Sequence, residues 1–284
     1  MLPYVLTMPA QRTSAVTFSS PHSGAAMPDA FVTESSLSRH ELRSSEDSFV
    51  DQLFAAAPAC GSPLIAATMA RAFVDLNRSE DELDPAMIAG IPRRGSNPRV
   101  AAGLGVIPRV VAEGRVIREG KITAQEAHNR IARYHRPYHE TLARLSESAH
   151  RQFGVSILVD CHSMPHESLA AAPQVNGARP EIVLGDRFGA SCDRWVMSEV
   201  TDIFTRAGFR VARNAPFAGG YVTQTYGRPS KGFHAIQIEI DRAIYMDEAA
   251  IEPNSRFASV VRVMNAVVRD LSGLGRNQSA IAAE

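Results

Sequence analysis

The chain has 284 residues, 45% of them hydrophobic and 21% charged, which is enough apolar content to bury a full core and too much for wholesale disorder. Thirty basic residues balance thirty acidic ones, which argues against a general nucleic-acid or anionic-membrane surface. Cys60, Cys161 and Cys192 are too few and too scattered for a disulfide framework, and no apolar run reaches the roughly 18 residues of a membrane helix. Met1 to Thr13 lacks the basic start and apolar core of a leader, so a soluble protein of a reducing cytoplasm is expected.

Taken in order, residues 1–13 carry two prolines and little pattern, and read as a loose arm or an edge contact. Ala15 to Phe18 predicts a short strand that runs straight into Pro21, His22, Ser23 and Gly24. Leu42, Phe49, Leu53 and Phe54 recur at helical spacing and predict a helix over residues 37–57. Leu64 to Met69 and Ala72 to Val74 read as strands, the second leading into Asp75, Leu76, Asn77 and Arg78. Residues 79–100, with Pro85, Pro92, Pro98 and the pair Arg93 and Arg94, predict a long functional loop.

Residues 122–152 hold the longest helical pattern, in which Pro137 predicts a kink or two helices instead of one straight rod. Ile157, Leu158 and Val159 form a buried strand that ends in Asp160, Cys161, His162 and Ser163. Strand side chains alternate faces, so Asp160 and His162 share one face and Cys161 takes the other, where core packing is its expected role. Glu181 to Leu184 is a small strand, 195–207 an amphipathic helix stopped at Gly208, and 209–212 another strand. Residues 214–232 predict a surface loop around Tyr221 and Tyr226, in which Gly219, Gly220 and Gly227 permit tight turns. Ile236, Ile238 and Ile240 alternate with Gln237, Glu239 and Asp241 in a strict period of two, and residues 255–271 predict a closing helix before a soft tail over 273–284. Strands alternating with helices imply a single three-layer α/β/α domain with a mixed, mainly parallel central sheet, whose ligands gather at the carboxyl ends of its strands.

Two histidines follow predicted strands, His22 and His162, and each can supply a neutral imidazole to a catalytic zinc, which needs about three nitrogen or oxygen ligands and one open position. Glu239 is a carboxylate in the middle of an apolar strand: it faces solvent, pairs with an arginine such as Arg242, or serves as a base beside a metal. His40, His128, His135, His139 and His150 sit in helical contexts and read as surface or packing residues.

The ordered blocks PHSG (21–24), DLNR (75–78), GVIPR (105–109), DCHSMP (160–165), GDRFGASC (185–192), PFAGGYVTQTYGRP (216–229) and QIEIDRAIYMD (237–247) resemble the N-formylglutamate amidohydrolase family from about residue 16 to about residue 270. That family in turn resembles the zinc carboxypeptidases and aspartoacylase-type deacylases, which implies a carboxypeptidase-like fold, one zinc ion, and His22 and His162 as first and third ligands. The carboxypeptidase pattern puts its acidic ligand three positions after the first histidine, where this chain has Ala25. The acidic candidates are then Glu46 and Asp47, with Asp47 the choice. The resemblance further implies Glu239 as catalytic carboxylate and Asn77 and Arg78 as a clamp on a substrate carboxylate, which a planar guanidinium holds by two parallel hydrogen bonds. Arg93 or Arg94 could hold a second carboxylate, and Tyr226 could donate a hydrogen bond to substrate or simply pack its loop. The activity implied is hydrolysis of N-formyl-L-glutamate or a similar N-acyl amino acid in histidine breakdown. The rivals are a deacylase or peptidase for another acylated amino acid or short peptide, and a binding protein without turnover.

Overall fold

Alternation decides the centre of this fold. In β4 (Ser156–Met164) and β7 (Phe233–Asp241), two nine-residue strands, Val159 and Cys161 pair with Ile236 and Ile238, and Ile157 and Ile240 extend the same apolar face of a sheet. The computed structural model describes residues 2–92 and 97–275. Its main sheet has seven strands in the order β1-β3-β2-β4-β7-β5-β6, completed by β1 (Tyr4–Thr7), β2 (Val16–Ser20), β3 (Leu64–Ala67), β5 (Ile182–Gly185) and β6 (Val211–Arg213). β2 and β7 each pair in parallel with β4, and β5 with β6, while β5 runs antiparallel to β7. The fold is thus α/β with a mixed, mainly parallel sheet.

The chain divides into two compact units, one of Met1–Val5, Pro21–Ser48 and Ala66–Thr141, the other of Leu6–Ser20, Phe49–Ile65 and Leu142–Glu284. In the second, the apolar sheet face is covered by Val50 and Leu53, by Val196, Val200, Ile203 and Phe204 of the helix Arg194–Arg206, and by Met264, Val267, Val268 and Leu271 of the helix Phe257–Ser272. These helical residues recur every three or four positions, so each helix turns one apolar stripe to the sheet. In the first unit Phe73 stacks edge-on against Phe31 and Tyr134, and the Arg130 guanidinium sits 4.1 Å over the Phe73 ring.

Several local expectations are corrected. The helix expected over 37–57 is two short helices, Arg39–Leu42 and Val50–Leu53, separated by a 3₁₀ turn and by Phe49 at φ 67°. Ser38 and Glu41 close a capping box that starts the first piece. The chain between them opens so that the Asp47 amide can donate to the His22 carbonyl at 2.9 Å, a long-range bond no helical spacing announces. Residues 72–74 form a turn closed on the Ala70 carbonyl instead of a strand. The long helical pattern runs as Ala124–Arg130, a π-helical turn Ile131–His135 and then Arg136–Phe153, so the irregularity falls just before Pro137. The loop expected over 214–232 contains a helix, Tyr221–Tyr226, because Val222 and Tyr226, four apart, bury one side. For the N-terminal arm the edge-contact alternative holds, since residues 4–7 form the edge strand β1.

Candidate metal centre and active site

The face of β4 and β7 opposite the isoleucines is polar and yet buried. Register places Asp160 beside Gln237 and His162 beside Glu239, with Ser19 of β2 beside Asp160. Neighbouring strands lie about 4.8 Å apart, so these side chains form two rows on one face. Buried polar groups need partners. His162 Nε2 donates to Asp160 Oδ2 at 2.8 Å, Ser19 Oγ donates to Asp160 Oδ1 at 3.4 Å, and Gln237 Nε2 donates to Glu239 Oε1 at 2.8 Å. Glu239 is only 7% exposed, which removes the solvent-facing reading of that carboxylate. The nearby Arg242 donates from Nε to Ser163 Oγ at 3.2 Å.

A second histidine is held in the same manner. His22 Nε2 donates to Asp75 Oδ1 at 2.7 Å, and its Nδ1 lies 3.4 Å from Asp47 Oδ2. Asp75 also accepts from Arg71 Nε at 2.9 Å and from the Asn77 amide at 2.8 Å. Burial alone would raise the Asp75 carboxyl, but Arg71, His22 and Arg78 outweigh it and hold it well below the usual carboxylate range. In the block that holds His22, Gly24 passes so close to the backbone of Thr68 and Met69 that a Cβ would meet it at 2.5 Å, so no other residue fits that turn.

His22, Asp47 and His162, all buried, each offer one ligand atom, and these atoms lie within 4.8 Å of one another. The donor set suits a zinc-type cation: two imidazoles and one carboxylate. With each Nε2 engaged by an aspartate, a neutral imidazole would offer its Nδ1 to a metal, the arrangement by which outer carboxylates orient metal-binding imidazoles. Glu46 turns elsewhere, accepting from Arg43 Nε at 2.9 Å.

Asn77 and Arg78 are buried in the turn after Asp75. Arg78 donates from Nε to the Leu104 carbonyl and from Nη1 to the Asn77 carbonyl, both at 2.8 Å, so part of its fork ties its own segment together. Burial pulls its guanidinium below its ordinary value while Asp75 opposes the shift. His135 and His139 are more than packing residues. Their Nε2 atoms each reach 2.8 Å from a carbonyl, of Arg78 and Leu76 respectively, which pins the segment that carries the arginine. Burial, then the neighbouring His135, brings His139 down to about 3. Tyr226 is buried on its short helix, which packs against β7 and β4, and burial followed by Tyr221 raises its phenol. Arg93 and Arg94 lie outside the described residues.

Asp75, Gln237, His135 and His139 are the functional candidates that sequence reasoning passed over. Asp75 had a signal, since it opens the DLNR block, and Gln237 shares its strand face with Glu239.

Fold and site together define a class: an α/β protein with a buried His-Asp-His cluster that could hold a metal ion and a carboxylate beside its strand-borne histidine. A model of the N-formylglutamate amidohydrolase family matches residues 14–246, and the chain belongs to that family. It is 32% identical over 237 residues to an N-formylglutamate deformylase of Pseudomonas putida, covering 81% of each chain, and 31% identical over 233 residues to one of Pseudomonas aeruginosa, covering 79% of each. The crystal structure of an N-formylglutamate amidohydrolase from Ralstonia eutropha JMP134 is similar along 98% of this chain and 100% of its own, with a TM-score of 0.91 at 32% identity. A protein from Agrobacterium tumefaciens shares the fold, at a TM-score of 0.65 and 15% identity over 96% of both chains. Among the described residues no helix is long and apolar enough to cross a membrane.

Proposed function

We propose that this protein is a metal-dependent amidohydrolase that cleaves N-formyl-L-glutamate to formate and L-glutamate. The observation that carries the reading is the convergence of His22, Asp47 and His162 within 4.8 Å, with Glu239 in register beside His162. The names of the Pseudomonas relatives supply the substrate.

His22, Asp47 and His162 would hold one divalent ion, zinc by the chemistry of the donors. When bound, such an ion supplies Lewis acidity, which brings the ionisation of a water molecule to roughly neutral pH. The chain does the rest. Glu239 takes the proton of the attacking water and returns it to the nitrogen as the C–N bond breaks, so that formate and a free amine leave. Gln237 holds the carboxylate during both transfers. Asp75 and Asp160 keep the two imidazoles in one tautomer and one orientation. Arg78, steadied by His135 and backed by Asn77, would bind one substrate carboxylate, and Arg93 or Arg94 the other; Tyr226 is a further hydrogen-bond donor to substrate.

The direct test is formate release by the purified protein from N-formyl-L-glutamate against a panel of N-acetyl and N-succinyl amino acids. The N-formyl acidic substrate is expected to lead in kcat/KM, and preference for another acyl group would transfer the reading to a different deacylase. His162→Ala is expected to lose bound metal with the fold retained, and full occupancy by metal analysis would remove His162 from the ligand set.

A further inference from the structure

Gln237 has two ends, and only one of them is used. Its Nε2 donates to Glu239 Oε1 at 2.8 Å. An ionised carboxylate can only accept, so the amide must turn its NH₂ toward Glu239, and this fixes where the carbonyl end goes. The side chain is 5% exposed, and its Oε1 has no hydrogen-bond partner among the described residues. A buried acceptor left unmade is costly, and in a native site it calls for a donor that arrives later.

The strand neighbours do not supply that donor. On β4 the register partner is Asp160, which is itself an acceptor, already engaged by His162 and Ser19. On β5 the register partner is Gly185, which has no side chain. Gln237 lies on the same sheet face as His162 and Glu239, one alternation before the latter.

We propose that Gln237 Oε1 is a substrate-binding acceptor that takes the N–H of the scissile amide, so that the site selects secondary amides at the bond it cleaves. The inference rests on the reading of Glu239 as the group that protonates the leaving nitrogen. One side chain then serves both partners of that transfer: Nε2 fixes the carboxylate that delivers the proton, and Oε1 holds the nitrogen that receives it. The N–H stays on nitrogen throughout. The bond broken is C–N, and the proton gained by nitrogen is the one Glu239 took from water.

The experiment compares kcat/KM for N-formyl-L-glutamate and for its oxygen isostere, the formate ester of L-2-hydroxyglutarate, in the wild type, Gln237→Met and Gln237→Leu. Both variants lose the bond to Glu239, so both substrates should decline. The amide is expected to decline about tenfold or more beyond the ester, because only the amide loses a donor–acceptor pair. Equal declines would overturn the proposal and leave Gln237 acting through Glu239 alone. The wild type gives a reading that needs no variant: N-methylation of the scissile nitrogen should cost about a hundredfold or more in kcat/KM, and cleavage within threefold would also overturn it. If Glu239→Gln keeps near wild-type turnover, the proton-transfer reading falls, while the amide-to-ester ratio still judges Gln237. If the wild type turns over neither substrate, the proposed reaction fails and this inference with it.

Discussion

The two faces of β4 and β7 are equally buried and have opposite chemistry. On one, Ile157, Val159 and Cys161 share a helix-covered face with Ile236, Ile238 and Ile240; on the other, Asp160 and His162 meet Gln237 and Glu239. The apolar face contributes stability through area removed from water, and any hydrophobe of similar volume would serve nearly as well. The polar face buries groups whose desolvation is recovered only through specific hydrogen bonds, so identity matters there at every position. Even Cys161 follows the division: burial, then Asp160, raises its thiol well above the ordinary range, and it behaves as a small hydrophobe of the core.

Substitutions should therefore separate the faces by what they damage. The largest effect is expected from Glu239→Gln, with kcat falling about a hundredfold to ten-thousandfold while bound metal and Tm stay near wild type; turnover within threefold would remove Glu239 as the base. Ile238→Ala, one position away and on the other face, should lose about 2–5 kcal/mol of stability in urea with kcat little changed, and a selective loss of turnover would break the contrast. Asp160→Asn should weaken metal affinity about 10–100-fold, read by chelator competition, with a much smaller change in Tm. An unchanged affinity would reduce Asp160 to a strand-capping group.

The smallest effect extends the contrast to the first unit. His139 is held neutral, its pKa brought down from 6.5 to about 3. The unfolded chain therefore binds a proton that the folded one refuses, and stability is retained above pH 6.5 and lost as pH falls toward 3. At pH 5 the loss from this residue should be about 2 kcal/mol, and it should be absent from His139→Gln, so that it appears as the difference in acid sensitivity between wild type and variant. A wild type no more acid-sensitive than that variant would contradict the buried neutral imidazole.

Much of the sheet was legible before any coordinates. The runs at 157–159 and 236–240 have strand length and strand period, and the period already put Asp160 with His162 and Cys161 away from them. The ordered motifs identified His22, His162 and Glu239 as candidates, and resemblance narrowed the acidic choice to two adjacent residues. What could not be read is what depends on contacts between distant segments. Phe49 leaves the helical region at a place where its spacing looks helical, because Asp47 must reach the His22 backbone. Asp75 became the partner of His22 across 53 positions, and His139 the partner of Leu76 across 63. Periodicity carries no information about such pairs, since it reports which face a side chain takes and not what waits on that face.

The register of β7 against β4 has a consequence for how errors are handled. Because Glu239 alternates with Ile238 and Ile240, a slip of one residue would send the carboxylate into the apolar core and an isoleucine into the polar site. A misregistered chain is thus penalised twice, and it is penalised in stability before it is ever tested in chemistry. Molecules that persist as folded protein have already been sorted for the alignment of His162 with Glu239, so the hydrophobic half of one strand acts as a proofreader for the polar half.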